Sequence, residues 1–294
     1  MSMTLTAARA VLAAAGRLSP RLAAELAFPL FMRVGRCVPV RDEDRATHDS
    51  ASRRDITVDG KRVAVYEWGR GSKTVLLVHG WHGRASQFAT LVRELRAEGL
   101  AVVAFDAPAN GDSQGRGTYI LHYMEAIRQL QPDGGFHAIV AHSFGVLAAL
   151  SAVSEGVEAH RMVGIAGVSD ASYLVDSFAA QLALRSGATA ALRQVFQRRV
   201  FPEGPDIFER FSGVRNPLPA GVPLLLVHDE ADAVVSPDQS QRLAEAHVGR
   251  SELLAGRALG HTRILAADLT LEAVTRFVVE AEPAPRPLAA SSTS

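Results

Sequence analysis

The chain has 294 residues, 48% of them hydrophobic, 21% charged and 6% aromatic, with 31 basic against 31 acidic side chains. That length suits one large α/β domain or two ordinary ones, and the composition excludes both a small stapled scaffold and dominant disorder. Balanced charge without a long Lys/Arg run gives no electrostatic reason to bind nucleic acid. The single Cys37 cannot close an internal disulfide or seed a zinc cluster, so the expectation is a reducing compartment, the cytoplasm.

In chain order, Met1 to Gly16 carries a short Ala/Val/Leu run that looks superficially like a signal region, but Arg17 and Arg21 interrupt it. Ser19-Pro20 followed by Leu22, Leu26, Leu30 and Val34 predicts an amphipathic helix behind an N-cap and a first-turn proline. Its arginines are sparse, so it is expected to pack beside the cap and narrow the entrance rather than anchor at a membrane. Arg41 to Arg54 reads as a charged connector. Ile56–Val58 and Val63–Tyr66 around Asp59-Gly60 predict a hairpin.

From Thr74 the pattern changes to short apolar runs alternating with helical stretches, as strands buried on both faces of a parallel sheet require. The strands are Val75–Val78, Ala101–Phe105, Ala138–Ala141, Met162–Ala166 and Leu224–Val227, with Glu252–Leu254 as a weaker last one. The helices are Ala85–Glu98, Thr118–Gln131, Phe144–Glu155, Pro237–His247 and Leu265–Val279. About fifty residues, 169–218, have helical pattern and no strand, which predicts a helical cap. Its aromatics Tyr173, Phe178, Phe196, Phe201, Phe208 and Phe211 are expected mainly to pack the insert onto the body, with an apolar pocket as their other use. The chain therefore divides into a helical extension and connector (1–54), an α/β domain (55–281) with the cap inside it, and a disordered tail (282–294) rich in Pro, Ala, Ser and Thr. No stretch reads as a transmembrane span; the longest without charge, 136–154, carries His137, His142, Ser143 and Ser151.

That stretch contains the chemistry. In Val140-Ala141-His142-Ser143-Phe144-Gly145 a strand ends and a helix begins at Ser143. So sharp a turn strains the serine backbone and tolerates only small flanking residues, here Ala141 and Gly145. The hydroxyl is pushed out above the sheet edge, where free amides of the helix start can meet a forming anion.

Here the sequence resembles the α/β-hydrolase superfamily, over about Ile56 to Val279. Glycine is commoner than Ala141 at the first small position, a mild departure. The resemblance implies an α/β-hydrolase fold: a mostly parallel central sheet with an N-terminal antiparallel hairpin, flanking helices and a helical cap. It further implies that His79-Gly80-Trp81-His82-Gly83 after the third strand donates the Trp81 amide to an oxyanion hole, with Phe144 donating the other. His79 and His82 are expected to buttress that turn; as a metal pair they lack a third ligand. The family places its acid in the loop His228-Asp229-Glu230-Ala231-Asp232-Ala233-Val234-Val235, where Asp232 matches best and Asp229 and Glu230 are rivals. The base is His261 in Leu259-Gly260-His261. Asp106 to Ser113 resembles a family turn with Asn110 where His is commoner, and a structural role is expected for it.

Nucleophile Ser143, base His261 and orienting acid Asp232, in that chain order, imply acyl transfer to water by a serine hydrolase, with carboxylic esters as the leading substrate class. Thioesters, lactones, C–C bonds and acyl acceptors other than water use the same constellation, and a weakly catalytic ligand sensor would keep the fold. The expected partners are a small acyl substrate and water; no metal or organic cofactor is implied.

Overall fold

A computed structural model describes residues 3–35 and 37–280; the expected tail, 282–294, lies outside them. Helices α1 (Met3–Leu18), α2 (Pro20–Met32) and α3 (Asp42–Asp49) come first, followed by β1 (Ser52–Val58), β2 (Lys61–Trp68) and β3 (Thr74–Val78). Then come α4 (Ala89–Ala97), β4 (Ala101–Phe105), α5 (Ile120–Gln129), β5 (Ala138–His142), α6 (Phe144–Ser154) and β6 (Met162–Ile165). Three helices, α7 (Ala171–Gln181), α8 (Ser186–Val200) and α9 (Ile207–Arg210), separate β6 from β7 (Leu224–Asp229). The chain continues through α10 (Asp238–Ala246), β8 (Ser251–Gly256) and α11 (Asp268–Val279).

The eight strands form one sheet in the order β1-β2-β4-β3-β5-β6-β7-β8. The β1–β2 hairpin and the β2–β4 pair are antiparallel, and every other pair is parallel. Period-two alternation sends Leu76, Val78, Ile139, Ala141, Leu224 and Leu226 into one core with α5 and α6. Val75, Leu77, Ala138, Val140, Leu225 and Val227 face the other, with α4 and α11. Burial on both sides is why these strands read as unbroken apolar runs. Edge strand β8 pairs only with β7 and leaves Glu252, Leu253 and Ala255 exposed, so its apolar signal is weak.

The N-terminal segment differs from its sequence reading in four ways. The apolar run before Gly16 is helix α1, and the charged connector contains α3, whose first turn carries Asp42, Glu43 and Asp44 where the helix dipole favours them. The hairpin starts at Ser52, four residues earlier than Ile56. Helix α2 begins at Pro20 as expected and packs on α8, but not through its leucines. Ala23, Ala24 and Ala27 are fully buried, while Leu22, Leu26 and Leu30 are 43%, 42% and 43% exposed. Small residues meet across this contact: Ala23 clusters with Ala188, and Ala24 and Ala27 with Ala191 and Leu192.

Candidate active site

Ser143 sits between β5 and α6 with φ 56° and ψ −123°, a backbone conformation costly for any residue bearing a Cβ. Its surroundings hold it there. The Ser143 N–H donates to Ile165 O at 2.9 Å, and its carbonyl accepts from Val146 N at 3.0 Å and Val168 N at 3.3 Å. A Cβ on Gly145 would come within 2.6 Å of the Val78 and His79 carbonyls, and one on Gly80 within 2.7 Å of Ser143 Cβ. Both glycines are therefore dictated by close approach of the β3 loop to the serine.

Three side chains distant in sequence converge at this point. Ser143 Oγ lies 3.0 Å from His261 Nε2, and His261 Nδ1 donates to Asp232 Oδ2 at 2.7 Å. The Asp232 side chain is fully buried, its Oδ1 accepting the Val234 and Val235 amides at 2.8 and 3.1 Å. Burial alone would raise its pKa, but donors from His228, His261 and those two amides outweigh it and hold the carboxyl below the usual range. Serine, histidine and carboxylate come from the loops after β5, β8 and β7, all at the carboxyl ends of the strands.

The rivals to Asp232 have other partners. Asp229 accepts amides from Ala231 and Gly260, each at 2.7 Å, and from Leu259, so it ties the β7 loop to the segment that carries His261. Glu230 faces outward to Arg257 at 3.1 Å.

His79 is buried beneath the β3 loop. Its Nε2 accepts the Ala107 N–H at 2.9 Å, which leaves the proton on Nδ1 to donate to Gly80 O at 2.7 Å. The Tyr123 hydroxyl donates to the same carbonyl at 3.3 Å. Because a trans peptide opposes its C=O and N–H, this fixed carbonyl turns the Trp81 N–H the other way. Among the described residues neither the Trp81 nor the Phe144 N–H has a protein acceptor. The Trp81 and Phe144 rings meet edge to face at 5.5 Å. Asp106 takes the structural role expected of it: its carboxylate accepts from Ala85 N at 2.7 Å, Asp112 N at 2.8 Å and Tyr66 OH at 3.1 Å.

Two histidines that sequence reasoning left without a role contact this hydrogen-bonded chain. His228 Nε2 donates to Val235 O at 3.1 Å and lies 3.4 Å from Asp232 Oδ2, while its Nδ1 accepts from Ser240 Oγ at 2.7 Å. His142, immediately before the serine, donates from Nε2 to the His261 carbonyl at 2.8 Å, its ring centre 4.7 Å from that of His261. Burial, and next the neighbouring His261, push its pKa down to about 3. The partner of His142 lies on a different loop, 119 residues away, whereas those of His228 follow it in the loop after β7 and at the start of α10.

The serine opens into a cavity of about 440 Å³. Tyr173, Phe178, Phe196, Phe208 and Phe211 line it, whereas Phe201 packs on Phe211 without reaching it. Packing and pocket are thus not alternatives for these five aromatics, which do both; of the six, only Phe201 packs without lining the cavity. Leu30, Phe31 and Met32 of α2 close another wall. Among the described residues no group of three or more His, Cys, Asp or Glu is arranged to hold a metal ion.

Residues 75–291 match the sequence pattern of the Alpha/beta hydrolase family. Over 108 residues the chain is 32% identical to a dihydrolipoyllysine-residue acetyltransferase component of the acetoin cleaving system from Cupriavidus necator; that stretch is 35% of this chain and 29% of the relative's length. In structure it resembles alpha/beta hydrolase domain-containing protein 10 from mouse, with TM-score 0.60, 17% identity, and 78% of this chain and 97% of that one covered. An esterase from Pyrococcus furiosus superposes with TM-score 0.58 at 19% identity, covering 84% of this chain and 96% of the other. At such identities the likeness of the two structures concerns the fold.

Proposed function

Because this chain belongs to the Alpha/beta hydrolase family, we propose that it is a serine hydrolase that cleaves a small carboxylic ester through an acyl-enzyme on Ser143. The observation that carries this reading is the unbroken hydrogen-bond chain from Ser143 Oγ through His261 to the buried Asp232. His261 Nε2 accepts the serine proton as Oγ attacks the carbonyl carbon. Asp232 holds the proton on Nδ1 and stabilises the imidazolium that forms. The carbonyl oxygen becomes an oxyanion, for which the Trp81 and Phe144 amides are the donors. Collapse expels the alcohol with the proton from His261, and a water molecule repeats the sequence to release the acid. These steps draw only on side chains and amides of the chain itself.

The cavity favours an apolar acyl or alcohol group: apart from Arg33, His82 and His261 it is lined by uncharged side chains, most of them aliphatic or aromatic. Reaction with a fluorophosphonate probe, followed by peptide mapping, tests the nucleophile, with the label expected on Ser143 and absent in Ser143→Ala. A panel of p-nitrophenyl esters of graded chain length, with thioesters and lactones, tests the substrate class. A folded chain that is neither labelled nor active on any of them would turn the proposal toward a ligand sensor.

A further inference from the structure

Helix α2 shows solvent an apolar face that its packing does not use. Its alanines take the contact with α8, while Leu22, Leu26 and Leu30 follow one another at four-residue spacing on the outside, and Leu18, just before the helix, is 82% exposed. The ridge leads to the cavity, where Leu30 and Arg33 both line the wall. The charge around it has one sign. Residues 1–41 hold six arginines and one acidic side chain, Glu25, and Glu25 is already shared by Arg198 and Arg199. Arg17, Arg21 and Arg33 are exposed, and none of them pairs with a carboxylate among the described residues. The neutrality of the whole chain conceals this basic segment, and the outward turn of the leucines is invisible in their spacing.

We propose that this ridge docks on the surface of an anionic lipid bilayer and that the acyl substrate enters the cavity from there. Leucines at helical spacing flanked by arginines, whose aliphatic stems lie along apolar surface while their heads reach phosphate, are the composition of a helix lying in the interface. Helix α2 has 13 residues, too few to span a bilayer, so the contact runs along the surface. A second copy of the chain is the poorer occupant. A two-fold contact would set these arginines against themselves, and the segment's only carboxylate is already engaged. Entry of substrate from the bilayer rests on the hydrolase reading; docking does not.

Flotation of the full chain with phosphatidylcholine vesicles, with and without a quarter of phosphatidylglycerol, tests the docking. Each arginine near an anionic surface adds about fivefold to partitioning, so the anionic vesicles are expected to bind at least about tenfold better and to release the chain in high salt. The Leu22→Ser/Leu26→Ser variant, altered at exposed positions outside the cavity lining, is expected to bind about tenfold less while its turnover of p-nitrophenyl acetate and its circular dichroism stay unchanged. Ser143→Ala is expected to bind like the wild type, which separates docking from catalysis. Equal flotation of wild type and double variant, or binding indifferent to lipid charge, would overturn the proposal. So would a dimer in solution that the leucine substitutions dissociate, since the ridge would then belong to a second copy.

Discussion

His142 allows a stability prediction whose size follows from its burial. The ring is buried, its Nδ1 has no hydrogen-bond partner among the described residues, and its pKa falls to about 3 beside His261. The unfolded chain binds a proton on this ring near pH 6.5 and the folded chain does not until far lower, so the stability it contributes is present above about pH 6.5 and is lost as pH falls toward about 3. Between pH 7 and pH 5 the folded ring stays neutral, and the loss is set by the ordinary titration of the unfolded one: roughly 1.4 decades of proton binding, or about 2 kcal/mol. In His142→Gln the amide can still donate to the His261 carbonyl but has nothing to titrate. Reversible urea unfolding at the two pH values should show the wild type losing about 2 kcal/mol more than the variant. Equal losses, within about 0.5 kcal/mol, would mean that His142 is protonated in the fold or is not buried in it.

Other outcomes follow from the site. Ser143→Ala should lower kcat on a p-nitrophenyl ester by about 10⁴-fold or more with KM little changed, read by stopped assay and isothermal titration. Asp232→Asn places an amide against His261 Nδ1 and favours the wrong tautomer, so kcat should fall about 10⁴-fold with the fold retained by circular dichroism; a loss below tenfold would remove Asp232 from the relay. Gly80→Ala brings a methyl to 2.7 Å from Ser143 Cβ and 3.3 Å from Oγ. It should therefore reduce turnover about a hundredfold or more, and unchanged turnover would show that the β3 loop does not shape the oxyanion side.

Much of this molecule is legible in its sequence. The runs Val75–Val78, Ala138–Ala141 and Leu224–Val227 are strands because only a doubly covered sheet can hide such uninterrupted apolar residues. The small residues around Ser143 encode a local turn, which is why the serine can be found by inspection. Asp232 is harder, since Asp229 and Glu230 lie three and two residues away and only the fold shows Asp229 spent on the backbone of the His261 segment. The α2 face is misread for a different reason. Helical periodicity shows that residues share a side but not which side is buried, and close packing against α8 selects alanine over leucine. His142 acts through a partner 119 residues away, a distance for which no local pattern exists, whereas His228 meets Asp232 and Val235 four and seven residues on, in an irregular loop that has no fixed periodicity to read.

Leu30, Phe31 and Met32 form one wall of the cavity, yet they precede the segment that carries the hydrolase family's pattern and take no part in the hydrogen bonds that join Ser143, His261 and Asp232. One wall of the cavity is thus written in a stretch of the gene product separate from Ser143, Asp232 and His261. An exchange confined to the first forty residues could retune which molecules are admitted while leaving the reacting atoms in place, so substrate preference can diverge here faster than chemistry.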